Sequence, residues 1–111
     1  MSCSCINILQ RGTTPTITMT YRAIDLSMIT EAWMSIRQQG GAQCIVDRDL
    51  NSATVGENTL SWTLTQEETL RLLPLWSAEI QCRYLLSDGT AGASPIYRIS
   101  VSDLLKEGVI Q

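Results

Sequence analysis

Short segments in which every second residue is apolar set the first constraint on this chain. Thr14 to Tyr21, "TPTITMTY", puts Ile17, Met19 and Tyr21 on one side and Thr16, Thr18 and Thr20 on the other. Asn58 to Leu64, "NTLSWTL", does the same with Leu60, Trp62 and Leu64 against Thr59, Ser61 and Thr63. Farther on, Ile80, Cys82, Tyr84 and Leu86 alternate with Glu79, Gln81 and Arg83, and Tyr97, Ile99 and Val101 alternate with Ile96, Arg98 and Ser100. A period of two is that of a half-buried strand. "AQCIVDRDL" after Gly40-Gly41 reads as a further strand, and Asp88-Gly89 as a hairpin turn. Pro95 fits an edge or the first position of a strand.

Between Leu64 and Trp76 the pattern changes. Thr65-Gln-Glu-Glu68 is a capping box, in which the threonine hydroxyl and the glutamate carboxylate each accept from the other's backbone N–H. Two acids in the first turn suit the helix dipole, and Glu67 stands four before Arg71 in the favourable order. Pro74 ends the helix, which is expected over about residues 66–73 and packs through Leu70, Leu72 or Leu73. "DLSMITEAWMSIRQQGG" reads two ways. Met28, Ile29, Ala32, Trp33 and Ile36 fit a helix from a Ser27 cap to a Gly40 stop. Ala32, Met34 and Ile36 also alternate with Trp33, Ser35 and Arg37. Periodicity alone slightly favours the helix.

The 111 residues suit one domain, 1–111, with residues 1–9 as a leader that is either flexible or an edge strand. Apolar residues make up 44%, enough for a core and too many for disorder. No run is long and apolar enough to span a bilayer, and "MSCSCINILQRG" lacks the basic and apolar regions of a secretory signal. Synthesis in the cytosol is therefore expected. Seven scattered arginines and a net charge of -3 point away from nucleic acid.

Chemistry is sparsely provided for. No histidine is present, which removes Ser-His-Asp and Cys-His activation. Glu67 and Glu68 are accounted for by capping. Asp47 and Asp49 share a strand end that suits a solvated loop better than a cation, since no third oxygen ligand is patterned nearby. Cysteines 3, 5, 44 and 82 lack paired C-x2-C spacing, and Cys82 reads as a small core residue. The glycines have no phosphate-binding spacing. No catalytic residue, cofactor or metal is expected, and the thiols should be dispensable for folding. Trp62 reads as core, whereas Trp33, outward if its segment is a strand, becomes an interface anchor.

The ordered marks "RGTTPTITMTY", "IDLSMITEAWMSIRQQG", "NTLSWTLTQEETLRL", "AEIQCRYLLSDGT" and "SPIYRISVSDLLKEGVI" resemble small proteins encoded in or beside the tail and baseplate genes of phages and prophages of Gram-positive bacteria. The arrangement is also similar to the immunoglobulin-like N-terminal domain of phage baseplate upper proteins. The leader "MSCSC" departs from that pattern. The resemblance tips the ambiguous segment to a turn near Ser27–Ile29 followed by a strand over 31–38. It implies a mainly-β, immunoglobulin-like sandwich of about six or seven strands with one short helix. It implies no catalytic residue. The expected function is a tail or baseplate protein–protein contact module, located in the virion. The alternative is an intracellular phage effector that inhibits a host protein. Partners are then tail or baseplate proteins or a second copy, with no nucleic acid and no membrane. The candidate interface residues are Trp33, Thr16, Thr18, Ile96 and Arg98, with "TPTITMT" and "SPIYRIS" as exposed sheet edges.

Overall fold

A computed structural model describes residues 8–38, 41 and 43–111 and the backbone of residues 2–3. Gly40 and Cys5, on which two of the expectations bear, lie outside the described residues. Among the described residues ten strands follow one another: β1 (Ser2–Cys3), β2 (Ile8–Gln10), β3 (Thr16–Thr20), β4 (Ile29–Gln38), β5 (Val46–Asp49), β6 (Thr54–Val55), β7 (Thr59–Thr63), β8 (Ala78–Leu86), β9 (Ala91–Ala93) and β10 (Tyr97–Ser102). One helix, α1 (Gln66–Leu70), lies between β7 and β8, and single 3-10 turns cover Leu26–Met28 and Leu50–Ser52. Six strands run four residues or longer, and the remaining four are fragments of two or three.

The strands form two sheets, ordered β1-β3-β7-β6 and β2-β10-β8-β4-β5, with β9 beside β10 on the same flank of β8. This is a mainly-β sandwich with the strand order of an immunoglobulin domain, its first strand divided between the sheets. Alternation sorts the residues as read from the sequence. Ile17, Met19, Tyr21, Leu60, Trp62 and Leu64 face inward from one sheet, and Ala32, Met34, Ile36, Ile80, Cys82 and Ile99 from the other. Burying each large side chain contributes roughly 1.5–3 kcal/mol. The disulfide that bridges the sheets in antibody domains has no counterpart at Cys82. Its buried sulfur meets the Tyr21 hydroxyl at 2.9 Å. Burial pushes both groups to a higher pKa, so both stay protonated and unreactive.

The segment that read two ways is a strand. β4 pairs with β8 from Ile29 to Gln38, and the turn before it is capped by Asp25, whose carboxylate accepts from Ser27 N–H at 3.0 Å. The strand after Gly41 is shorter than the sequence pattern, because Asp49 turns the chain by accepting from Ser52 N–H at 3.2 Å.

The candidate edges differ in part from expectation. β3 lies between β1 and β7, and β10 lies between β2 and β8. Leader strands pair with part of each, β1 with Met19 and Thr20 and β2 with Ser100–Ser102, an arrangement that local alternation cannot encode. At Pro95 the chain bulges between β9 and β10. A proline has no N–H for the ladder, and Ser94 compensates: its hydroxyl accepts from Cys82 N–H at 3.0 Å and donates to Pro95 O at 2.8 Å. Just before it, a Cβ on Gly92 would sit 2.3 Å from the Tyr84 ring, so a larger residue there would displace that ring.

The helix ends at Leu70, three residues short of expectation. Pro74 disfavours helical backbone at Leu73, and Leu72 turns into the core. Arg11 takes over the freed carbonyls, donating to Leu70 O at 3.1 Å and Leu72 O at 2.8 Å. With Arg71 already at the C-cap, it forms no ion pair with Glu67. The capping box is formed as read, with Glu68 N–H to the Thr65 hydroxyl at 3.1 Å and Thr65 N–H to the Glu68 carboxylate at 2.9 Å. The same carboxylate oxygen accepts from Arg48 of β5 at 2.7 Å, and Arg48 also donates to Thr63 O at 3.2 Å. Glu68 thus caps the helix and ties it to the other sheet.

Thr65→Ala should cost roughly 1 kcal/mol in urea unfolding. Glu68→Ala should cost more, because the mostly buried Arg48 loses its carboxylate as well. A Glu68/Arg48 double-mutant cycle should show coupling, and strict additivity would remove Glu68 from the sheet-to-helix tie.

Candidate interface on the outer face of the larger sheet

The outer face of the six-stranded sheet is built by the residues that alternate with the core. Cross-strand register sets them in rows. Ala93, Arg83, Trp33 and Asp49 stand side by side across β9, β8, β4 and β5. The next row toward Gln38 holds Gln81, Ser35 and Asp47, and the one beyond it holds Arg98, Glu79 and Arg37. On the other side of Trp33 lie Ala91, Leu85 and Glu31.

Trp33 is 41% exposed although it sits in the middle of a strand flanked on both sides. Its indole N–H donates to the Glu31 carboxylate at 2.9 Å, which fixes the ring against the sheet. The small side chain of Ala91 leaves a hollow of about 470 Å³, lined by Trp33, Tyr84, Leu85 and Arg83 and bordered by Glu31 and Asp47. The Ser35 hydroxyl donates to Asp47 at 2.5 Å. An aromatic anchor in a hollow bordered by charge is the composition of an interface centre.

Glu79 ties the far row together. Arg37 reaches one of its oxygens at 2.9 Å and Arg98 the other at 3.1 Å. The hydrogen bond from Arg37 is the main cause that holds the Glu79 carboxyl below its ordinary pKa, with Arg98 adding to it against partial desolvation.

The five candidate residues fall on two opposite faces. Trp33, Ile96 and Arg98 belong to the outer face just described, where Ile96 is exposed and borders a second, smaller hollow with Ser35, Arg37, Cys44, Glu79 and Gln81. Thr16 and Thr18 belong to the outer face of the other sheet. There Thr16 meets the Thr63 hydroxyl at 2.8 Å and Thr18 meets Ser61 at 3.0 Å, a cross-strand hydroxyl ladder that satisfies itself. Asp47 and Asp49 go to separate tasks, a serine hydroxyl and a turn cap. Arg83, Glu31 and Leu85 were not singled out in the sequence. Their signal was present as the polar half of the alternation, without the register that places them beside Trp33.

No protein-family model matches the chain, and no curated protein matches it.

A carboxyl held below its ordinary pKa stabilises the fold above that value, and the contribution is lost as pH falls through the lowered pKa. Glu79→Gln should therefore lower the melting temperature at pH 7, where it leaves Arg37 and Arg98 facing each other. The difference from the native chain should shrink once pH falls well below the ordinary value of 4.5. A difference that is constant from pH 7 to pH 3 would show that the charge of Glu79 does not matter.

Proposed function

We propose that this chain is a non-catalytic protein–protein interaction module of a phage tail or baseplate, and that its contact surface is the outer face around Trp33. The observation that carries the contact role is an exposed, hydrogen-bonded tryptophan beside a hollow, at a position where its strand is already flanked on both sides. A tryptophan that contributes nothing to the core and is held in one orientation suits a binding anchor. The tail or baseplate setting follows from the resemblance of the ordered segments. An effector acting on a host protein would use the same face and differ only in what it captures.

Trp33→Ala, purified beside the native chain, should bind its partner at least tenfold more weakly, a loss of about 1.4 kcal/mol or more. Its melting temperature should stay within the range of a neutral surface change, about 0.5 kcal/mol. Particles or lysates from producing cells supply the partner, identified by mass spectrometry of material retained by the native chain and lost by the variant. Recovery of tail proteins supports the module, recovery of a host protein supports the effector, and equal retention by both chains refutes the Trp33 surface.

A further inference from the structure

The loop that joins α1 to β8 leaves three large apolar side chains in solvent: Leu73 at 60% exposure, Leu75 at 98% and Trp76 at 53%. Leu75 has φ +78°, a left-handed conformation that costs a leucine free energy and that glycine adopts without strain. The conformation is nevertheless enforced. Buried Gln38 donates to Leu73 O at 2.7 Å and Trp76 O at 3.1 Å, and accepts from Leu73 N–H at 2.7 Å. A buried amide therefore spends its hydrogen bonds on shaping a tip whose apolar side chains are half or more in solvent, Leu75 almost wholly so. Strain held in place at an exposed position points to use of that position.

The tip and the Trp33 hollow lie toward opposite ends of the β4–β8 pair. Gln38 and Ala78, paired at one end, adjoin the tip, whereas Glu31 and Leu85, at the hollow, lie near the other end. Their chemistry is complementary. Just before the tip stands the exposed Arg71, whose guanidinium belongs to none of the ion pairs among the described residues, and Trp76 adds an indole N–H donor. The hollow is lined by Trp33, Tyr84 and Leu85 together with Arg83, and its two carboxylates, Glu31 and Asp47, outnumber that one guanidinium, each with acceptor capacity to spare. Its volume of about 470 Å³ lies within the roughly 300–1,000 Å³ of ordinary binding pockets.

We propose that the Leu73–Trp76 tip of one copy docks into the Trp33 hollow of a second copy, so that the protein assembles head to tail. The contact is heterologous: each copy offers a tip at one end and a hollow at the other. Assembly then continues into an open chain, or closes into a ring if the rotation per copy permits. This rests on the reading of the Trp33 face as a binding surface and specifies its occupant.

Sedimentation velocity across concentrations up to about 1 mM, the weak end of specific association, tests it with three samples. The native chain should form species larger than a dimer as concentration rises. Leu75→Gly removes the side chain and relaxes the backbone, so it should melt no lower than the native chain yet remain monomeric. Trp33→Ala should also remain monomeric. Mixed together, the two variants should form one heterodimer that grows no further, because one supplies only a tip and the other only a hollow. A native chain that stays monomeric overturns the proposal. So does a dimer abolished by Trp33→Ala and untouched by Leu75→Gly, which signifies face-to-face pairing. If Leu75→Gly retains the foreign partner that Trp33→Ala loses while no self-association occurs, the Trp33 surface stands and the head-to-tail contact alone fails.

Discussion

The pairing of β4 with β8 is the constraint on which the other parts of the molecule depend. It aligns Trp33 with Arg83, Met34 with Cys82 and Ile36 with Ile80. Because side chains alternate, that register places Ala32, Met34 and Ile36 in the core and leaves Trp33, Ser35 and Arg37 outside. A slip of one residue would exchange these sets. It would bury an arginine and a serine without partners and expose two of the larger core side chains, at a cost of several kcal/mol. Core and contact face are thus two sides of one choice of register.

Polar side chains close the sandwich where strands alone would leave it open. The buried Trp62 reaches across to the Asp49 carbonyl at 3.0 Å, joining β7 to the edge strand β5 of the opposite sheet. Arg48 next to it extends to Glu68 of the helix. At the opposite end Gln38 and Arg11 hold the carbonyls of the chain leaving that helix. Arg11 is in turn gripped by Asp103 at 2.8 Å and Glu107 at 2.7 Å of the C-terminal segment. The described residues contain no buried side-chain nitrogen or oxygen without a hydrogen-bond partner, so these ties leave no desolvated group uncompensated.

Much of this was legible in the residues. Alternation identified the core sides of β3, β7, β8 and β10, and Thr65 with Glu68 announced the helix start. The helix end was misread because Pro74 marks where a helix must stop, whereas the chain left it earlier to bury Leu72. The 27–39 segment was ambiguous because Trp33 is apolar and outward: a contact tryptophan adds an apolar position that mimics helical spacing. The candidate edges at 14–20 and 94–100 proved to be covered in part, at Met19–Thr20 and at Ser100, since strand order depends on distant pairing with the leader. The tip at Leu73–Trp76 left only a leucine-rich run in the sequence, and what distinguishes it is a backbone angle and a buried amide from another strand.

The register of β4 against β8 can be read by NMR from cross-strand contacts between backbone protons in solution. The expected result is Trp33 opposite Arg83 and Met34 opposite Cys82, with extended-strand chemical shifts from Ile29 through Gln38. A continuous helix from Ser27 to Gln39, or a pairing displaced by one residue, would place Trp33 elsewhere and contradict both the core and the contact face described.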